Sequence, residues 1–189
     1  MILLYTGAGV YDNPQPLQEL SLGGYPSNTI IANSKVDAIF GPISKTEVVK
    51  NLSLVRMIVL KNITSDTISN IKVWTKNYDD SLYRLKIAVV APATDSCNNP
   101  IYESLVDQYS LPYQAELAYK EAEDNAITIA NLAAGEQVGI WLKREILLDK
   151  FPDIIQSSDL DCDALADLLL DNSRGDLTKD LGVDLKIKW

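Results

Sequence analysis

The chain of 189 residues contains no histidine. That removes the commonest general base and the commonest metal ligand. A Ser-His-Asp triad, a Cys-His pair and any His-based zinc site are excluded within one chain. Cysteine is scarce as well. Cys97 and Cys162 stand alone with no CxxC, so a disulfide framework is not expected and a reducing assembly compartment is. Positive charge is short: 17 Lys and Arg face 26 Asp and Glu, the net charge is −9, and the first basic residue is Lys35. A dedicated nucleic-acid binder, with its basic stripe, is not expected, nor is docking on anionic membranes. No run approaches the roughly 18 apolar residues of a membrane span. The opening MILLYTGAGVYDN lacks the length of apolar run and the preceding Lys or Arg of a signal peptide. The expected location is the cytoplasm, or something assembled there.

What is present is ordinary for a globular chain: 47% hydrophobic and 23% charged residues, enough to build a core without disulfides. Gly7, Gly9, Pro14, Pro16, Gly23, Gly24 and Pro26 punctuate residues 1–34. They predict an extended N-terminal arm, either tucked onto its own domain or reaching a partner. Residues 35–189 read as a single domain. Strand signals recur at 55–62 (VRMIVLKN), 71–76 (IKVWTK), 82–90 (LYRLKIAVV) and 126–130 (AITIA), and again at the C-terminus, 183–188. Ile71, Val73 and Thr75 alternate with Lys72, Trp74 and Lys76; Tyr83, Leu85, Ile87 and Val89 alternate with Arg84 and Lys86. Short alternating strands with turns between them predict a mainly β fold, an antiparallel β-sandwich of Ig-like or jelly-roll type. Strand–helix alternation is missing from 55–90, which disfavours a Rossmann-like fold.

Two regions break the strand pattern. Residues 98–125 form a Tyr-rich stretch with helical pieces broken by Pro112. It reads as a long loop packed on the sandwich or as an interface element, because tyrosine is enriched in interfaces. Residues 158–172 predict a short helical insertion with Leu165, Leu168 and Leu169 as its apolar stripe and acids in its first turn.

Chemical motifs fail on inspection. Asp159, Asp161 and Asp163 have the spacing that opens a calcium loop, but an EF-hand needs Gly and Glu where Ala164 and Leu170 stand. Asp79-Asp80 and Glu121, Glu123 and Asp124 read as solvated turn carboxylates. The pairs Gly7–Gly9 and Gly23–Gly24 lack GxGxxG spacing and open no helix after a strand. No catalytic residue, metal ligand or cofactor is assigned, and an enzyme is not expected. Trp74 between two lysines could stack on sugars or bases, or cover a second layer of the fold.

The stretch 131–146 (NLAAGEQVGIWLKREI) looks at first like a glycine loop beside charges. From 137 to 147 it alternates as a strand of about 12 residues and near 40 Å. Val138, Ile140, Leu142 and Ile146 take one face; Gln137, Gly139, Trp141, Lys143 and Glu145 take the other. Gly135 belongs to a turn, and Gly139 marks a bulge or admits a side chain over it. Arg144 is the one charge on the apolar face, where it could leave the core to meet a neighbouring subunit or an acidic loop.

The succession TGAGVYDNPQ, LSLGGYPSNTII, VDAIFGPIS, RMIVLKNITSDTISNIKVWT and ITIANLAAGEQVGIWLKREI resembles β-sandwich virion structural proteins of tailed bacteriophages. It is closest to the neck or tail ring proteins of crAss-like gut phages. The likeness covers about residues 1–150 and, weakly, the final strand. It implies a ring or adaptor protein of the virion neck or tail, assembled in the bacterial host cytoplasm as a cyclic, portal-matched, dodecameric homo-oligomer. Its implied partners are the portal and other neck and tail proteins, and its acidic lumen would repel passing DNA. Alternatives are a capsid decoration or head-fibre attachment protein, and a carbohydrate-binding module using Trp74 or Trp141. The candidate subunit-interface residues are Leu22, Gly23, Gly24, Tyr25, Trp74, Tyr109, Tyr113, Trp141 and Arg144.

Overall fold

The alternating segments become two antiparallel sheets in the computed structural model, which describes residues 1–6, 21–31, 37–78, 81–113, 115–152 and 184–189. In chain order the strands are β1 (Ile2–Thr6), β2 (Pro26–Ile30), β3 (Leu54–Lys61), β4 (Ile68–Lys76), β5 (Tyr83–Val90), β6 (Ala93–Thr94), β7 (Pro100–Ile101), β8 (Ala118–Tyr119), β9 (Ile127–Leu132), β10 (Gln137–Ile146) and β11 (Asp184–Lys188). Two short helices, α1 (Asp37–Phe40) and α2 (Lys45–Val49), lie between β2 and β3. The larger sheet has the order β2-β1-β3-β10-β5-β8 and the smaller β11-β4-β9; β6 and β7 form a separate ribbon.

Alternation explains the core. Leu3 and Tyr5 of β1, Ile58 and Leu60 of β3, Ile140 and Leu142 of β10, and Leu85 and Ile87 of β5 point inward. They meet Ile71 and Val73 of β4, Ile129 of β9 and Leu185 of β11. The protein is therefore mainly β, with two antiparallel sheets sharing one apolar layer. The other face of the larger sheet is also apolar at its centre: Leu4, Val55, Met57, Val59, Ala88 and Trp141 lie under Tyr102, Leu105 and Leu117 of the 98–125 stretch. No α-helix is described between 100 and 125; Pro112 and the buried outer face favour an extended loop with one 3₁₀ turn at Glu123–Asn125.

Of the two readings of the N-terminal segment, the strand tucked onto its own domain is the one seen at β1, and the length of β10 is corrected. β1 is an inner strand between β2 and β3, because Leu3, Leu4 and Tyr5 bury side chains on both faces of the sheet. β10 has ten residues rather than twelve: the Leu147 amide still donates to the Leu82 carbonyl opposite it at 3.0 Å, and the chain then enters a 3₁₀ turn at Leu148–Lys150. α1 and α2 were not expected. The helical insertion at 158–172 lies outside the described residues.

The KN turn after β3 has a mechanical reason. Asn62 is fully buried, and its Nδ2 donates to the carbonyls of Asp66, Leu132 and Ala133 at 2.8, 2.9 and 3.1 Å. Its Oδ1 accepts from the Thr64 amide at 2.9 Å. One side chain thus ties the turn after β3 to the turn before β10, where Gly135 adopts φ +78°.

Candidate functional site

The nine candidate interface residues separate into two groups. Leu22, Gly23, Gly24, Trp141 and Arg144 are buried within their own chain, so their assignment to a subunit interface is corrected. Gly23 and Gly24 lie under the 98–125 loop. The Tyr102 amide donates to the Gly24 carbonyl at 2.9 Å, and the Leu105 amide to the Leu22 carbonyl at 2.8 Å. Gly23 has φ +94°, and a Cβ there would stand 1.8 Å from the Glu103 carbonyl oxygen. Only glycine fits so close an approach.

Trp141 is 1% exposed, which removes it as a sugar-stacking platform. The same loop covers it. Beside it, Gly139 pairs in regular register with Val59 and Val90, with no bulge. Its missing side chain makes room for Tyr102, whose ring atoms would lie 2.8 Å from a Cβ.

Arg144 turns inward. Its guanidinium is 1% exposed and pairs with Glu47 of α2. Nη1 donates to the Gly41 carbonyl at 2.8 Å, and the cation lies 5.1 Å from the Phe40 ring centre and 5.7 Å from that of Tyr83. Glu47 also closes a capping box: its second oxygen accepts from the Ser44 amide at 2.8 Å, while Ser44 Oγ accepts from the Glu47 amide at 3.2 Å. The acidic partner comes from the same chain because helix α2 closes that end of the sandwich.

The second group reaches the surface. Tyr25 is half-buried and donates to Asp95 at 3.0 Å. Trp74 is half-buried on the outer face of the smaller sheet. Tyr109 and Tyr113 are exposed, and they do not stand alone. Val106 is 96% exposed, Tyr113 93%, and Leu111 is exposed with them. Val106 and Leu111 were missed; a short apolar-polar mixture inside a loop carries no periodicity that separates core from surface.

This loop tip is held rather than loose. The Asp107 carboxylate accepts from the amides of Tyr109 and Ser110 at 2.9 and 2.8 Å and from the Ser110 hydroxyl at 2.9 Å. Those bonds, the Ser110 hydroxyl first, hold its pKa below the usual carboxylate range. The Tyr113 amide donates to Glu103 at 2.8 Å. Gln108 fastens the tip to β3: its carbonyl accepts from the Val55 amide at 2.7 Å and its side chain from Arg56 at 2.6 Å. Four large side chains are thereby presented to solvent from a fixed backbone, which lowers the ordering cost of a contact.

No protein-family model matches the chain, and no curated protein or solved structure does. Among the described residues, no three His, Cys, Asp or Glu side chains are grouped to hold a metal ion, and no helix is long and apolar enough to cross a membrane.

The outer face at the β5 end carries a charge network. Arg84 grips Glu121 with two bonds of 2.7 and 2.6 Å. Glu145 binds Lys143 at 2.6 Å and Lys86 at 3.0 Å, and accepts the Tyr119 hydroxyl. Lys86 and Lys143 are directly paired across the strands, so Glu145 offsets a like-charge repulsion. Burial pushes Glu145 up, but the hydrogen bonds from Lys143, Tyr119 and Lys86 together outweigh it and hold its pKa at about 2. Burial, with the Glu145 bond, raises Tyr119 to about 12. These groups are matched to one another, which suits a structural role.

Proposed function

We propose that the protein is a structural subunit of a phage virion, a ring or adaptor of the neck or tail that assembles with copies of itself and with portal-proximal partners. The observation that carries this reading is the loop tip at 105–113, where Val106, Tyr109, Leu111 and Tyr113 stand exposed on a backbone fastened to β3. Large apolar side chains exposed on one fastened loop point to a contact surface in a folded protein. The tip is rigid, aromatic and free of lysine, as the cores of interfaces are. A scaffold with two apolar layers and buried polar anchors suits a part that must hold its shape under load. The resemblance of residues 1–150 to virion ring proteins supports the reading as a virion component.

The test is localisation of the chain by electron microscopy of intact virions, with the double variant Val106→Asp, Tyr113→Asp beside it. Both sites are exposed, so the variant's unfolding free energy should change by less than about 1 kcal/mol, while its incorporation into particles falls sharply. Absence of the wild-type chain from particles ends the reading. Incorporation of the variant at the wild-type level ends the assignment of the loop tip.

A further inference from the structure

The loop tip at 105–113 has a charge sign as well as an apolar surface. Every charged residue between Ile101 and Ala118 is an acid: Glu103, Asp107 and Glu116. Asp107 and Glu116 are exposed, and Asp107 lies within the tip itself. The bonds it accepts from Tyr109 and Ser110 favour its ionised form. A surface that fits the tip therefore needs an aromatic or apolar centre and a basic rim.

Such a surface lies on the other side of the sandwich. The tip belongs to the loop that covers the outer face of the larger sheet. Across the shared core, the outer face of the smaller sheet presents Lys72, Trp74 and Lys76 of β4, which alternate with the buried Ile71, Val73 and Thr75. Trp74 is half-buried and Lys76 exposed. Beyond Lys76 stands the exposed Tyr78, whose ring centre lies 5.0 Å from the Lys76 ammonium. On β11, Lys188 pairs in register with Lys72. These two lysines share one carboxylate, Glu123, at 2.6 and 3.5 Å. Lys76 forms no ion pair with a carboxylate among the described residues. A surplus of positive charge thus rims one tryptophan on a protein of net charge −9. The tip and this face look away from each other across the core, so a chain cannot seat its own tip on its own face. The tip of one subunit can reach the face of the next.

We propose that the tip at 105–113 of one subunit docks on the Lys72–Trp74–Lys76 face of a second copy, with its tyrosines and Leu111 over Trp74 and its acids against the lysines. The inference rests on the reading of the tip as a contact surface and adds the surface that receives it. The contact is heterologous, donor on one subunit and acceptor on the next, which is the type that closes rings.

Sedimentation of the purified full chain tests it, with K72E/K76E as the acceptor variant and V106D/Y113D as the donor variant. Wild type should associate beyond a dimer as concentration rises, and each variant alone should associate about tenfold or more weakly. A mixture of the two should form a one-to-one pair and stop there, because K72E/K76E keeps an intact tip and V106D/Y113D an intact face. That pairing also shows that both variants are folded. K72Q/K76Q repeats the acceptor test without adding acids and should weaken association to a lesser degree. Association of K72E/K76E or K72Q/K76Q at the wild-type level overturns the proposal, as does a mixture of folded variants that does not pair. A wild type that stays monomeric overturns the second copy as occupant; binding of a DNA duplex that K72E/K76E loses would then assign the face to phosphates. The chain present in virions with no such pairing sinks this contact alone; pairing intact with the chain absent from virions sinks the virion reading alone.

Discussion

Arg144 and Arg84 each bind one glutamate, on opposite faces of the paired strands β5 and β10, and they do different things. Arg144 is 1% exposed and pairs with Glu47, which also caps helix α2. Arg84 is 40% exposed and grips Glu121 with better bidentate geometry. Geometry alone would rank the outer pair higher. Burial reverses the ranking, because an ion left alone in the interior keeps its desolvation cost while an exposed one is taken up by water. The inner pair fixes where α2 closes the sandwich; the outer pair dresses a surface.

The largest expected effect breaks the inner pair. Arg144→Ala leaves the Glu47 carboxylate uncompensated in the interior and should cost about 3–5 kcal/mol. Urea denaturation measures it. The double replacement Arg144→Leu, Glu47→Leu removes both charges and should recover much of that loss. A cost under about 1 kcal/mol for Arg144→Ala would place the inner pair in the class of surface pairs and end the distinction.

Strand alternation placed Arg144 on the inner face correctly, but its partner was not legible. Glu47 lies 97 residues away, and period-two patterning reports which face a residue takes, not what covers that face. Trp141 and Trp74 make the same point. Both belong to the more polar set of their strands, yet a loop 98–125 lies on one and not on the other. The strands, the antiparallel sheets and the buried and wet faces of β4 and β5 were readable because each is a local pattern. The inner position of β1 was not, since five residues ahead of a run of glycines and prolines do not say how many neighbours they gain. Helix α2 could have been found: Ser44 and Glu47 have the spacing of a capping box.

A second test sharpens the contrast along the outer face of β10, dry at Gly139 and wet at Glu145. Gly139→Ala puts a Cβ 1.9 Å from Met57 Cε and 2.8 Å from the Tyr102 ring. Met57 can swing its flexible end aside; the Tyr102 ring is fastened by the loop. Overpacking of this kind should cost about 1–3 kcal/mol. In a Tyr102→Leu background the added cost should shrink, the sign of direct coupling. Equal costs in both backgrounds would show that the loop does not rest on Gly139.

At the wet end the control is pH. Glu145 has a folded pKa of about 2 against an ordinary value of 4.5. Its stabilisation is complete above about pH 4.5 and is lost as pH falls toward 2. Tyr119, raised to about 12 from 10, contributes below pH 10 and loses its part as pH rises toward 12. Glu145→Gln should therefore flatten the acid limb of the stability profile between about pH 4.5 and 2 and leave the inner pair's contribution in place. An unchanged acid limb would mean that Lys86, Lys143 and Tyr119 do not hold the carboxylate in solution.

The smallest effect is expected at Arg84. Its guanidinium binds Glu121 and lies 4.3 Å from the Tyr119 ring centre, yet Arg84→Ala should cost no more than about 1 kcal/mol, and less in molar salt. Chemical denaturation with urea, at low and high sodium chloride, reads both. Salt is the deciding variable. The outer pair faces water and should weaken as ions screen it, whereas the cost of Arg144→Ala should hardly move, because screening does not reach a buried pair. A salt-independent cost at Arg84 would mean that its stacking on Tyr119, rather than its charge, does the holding. The two arginines would then differ in partner chemistry and not only in burial.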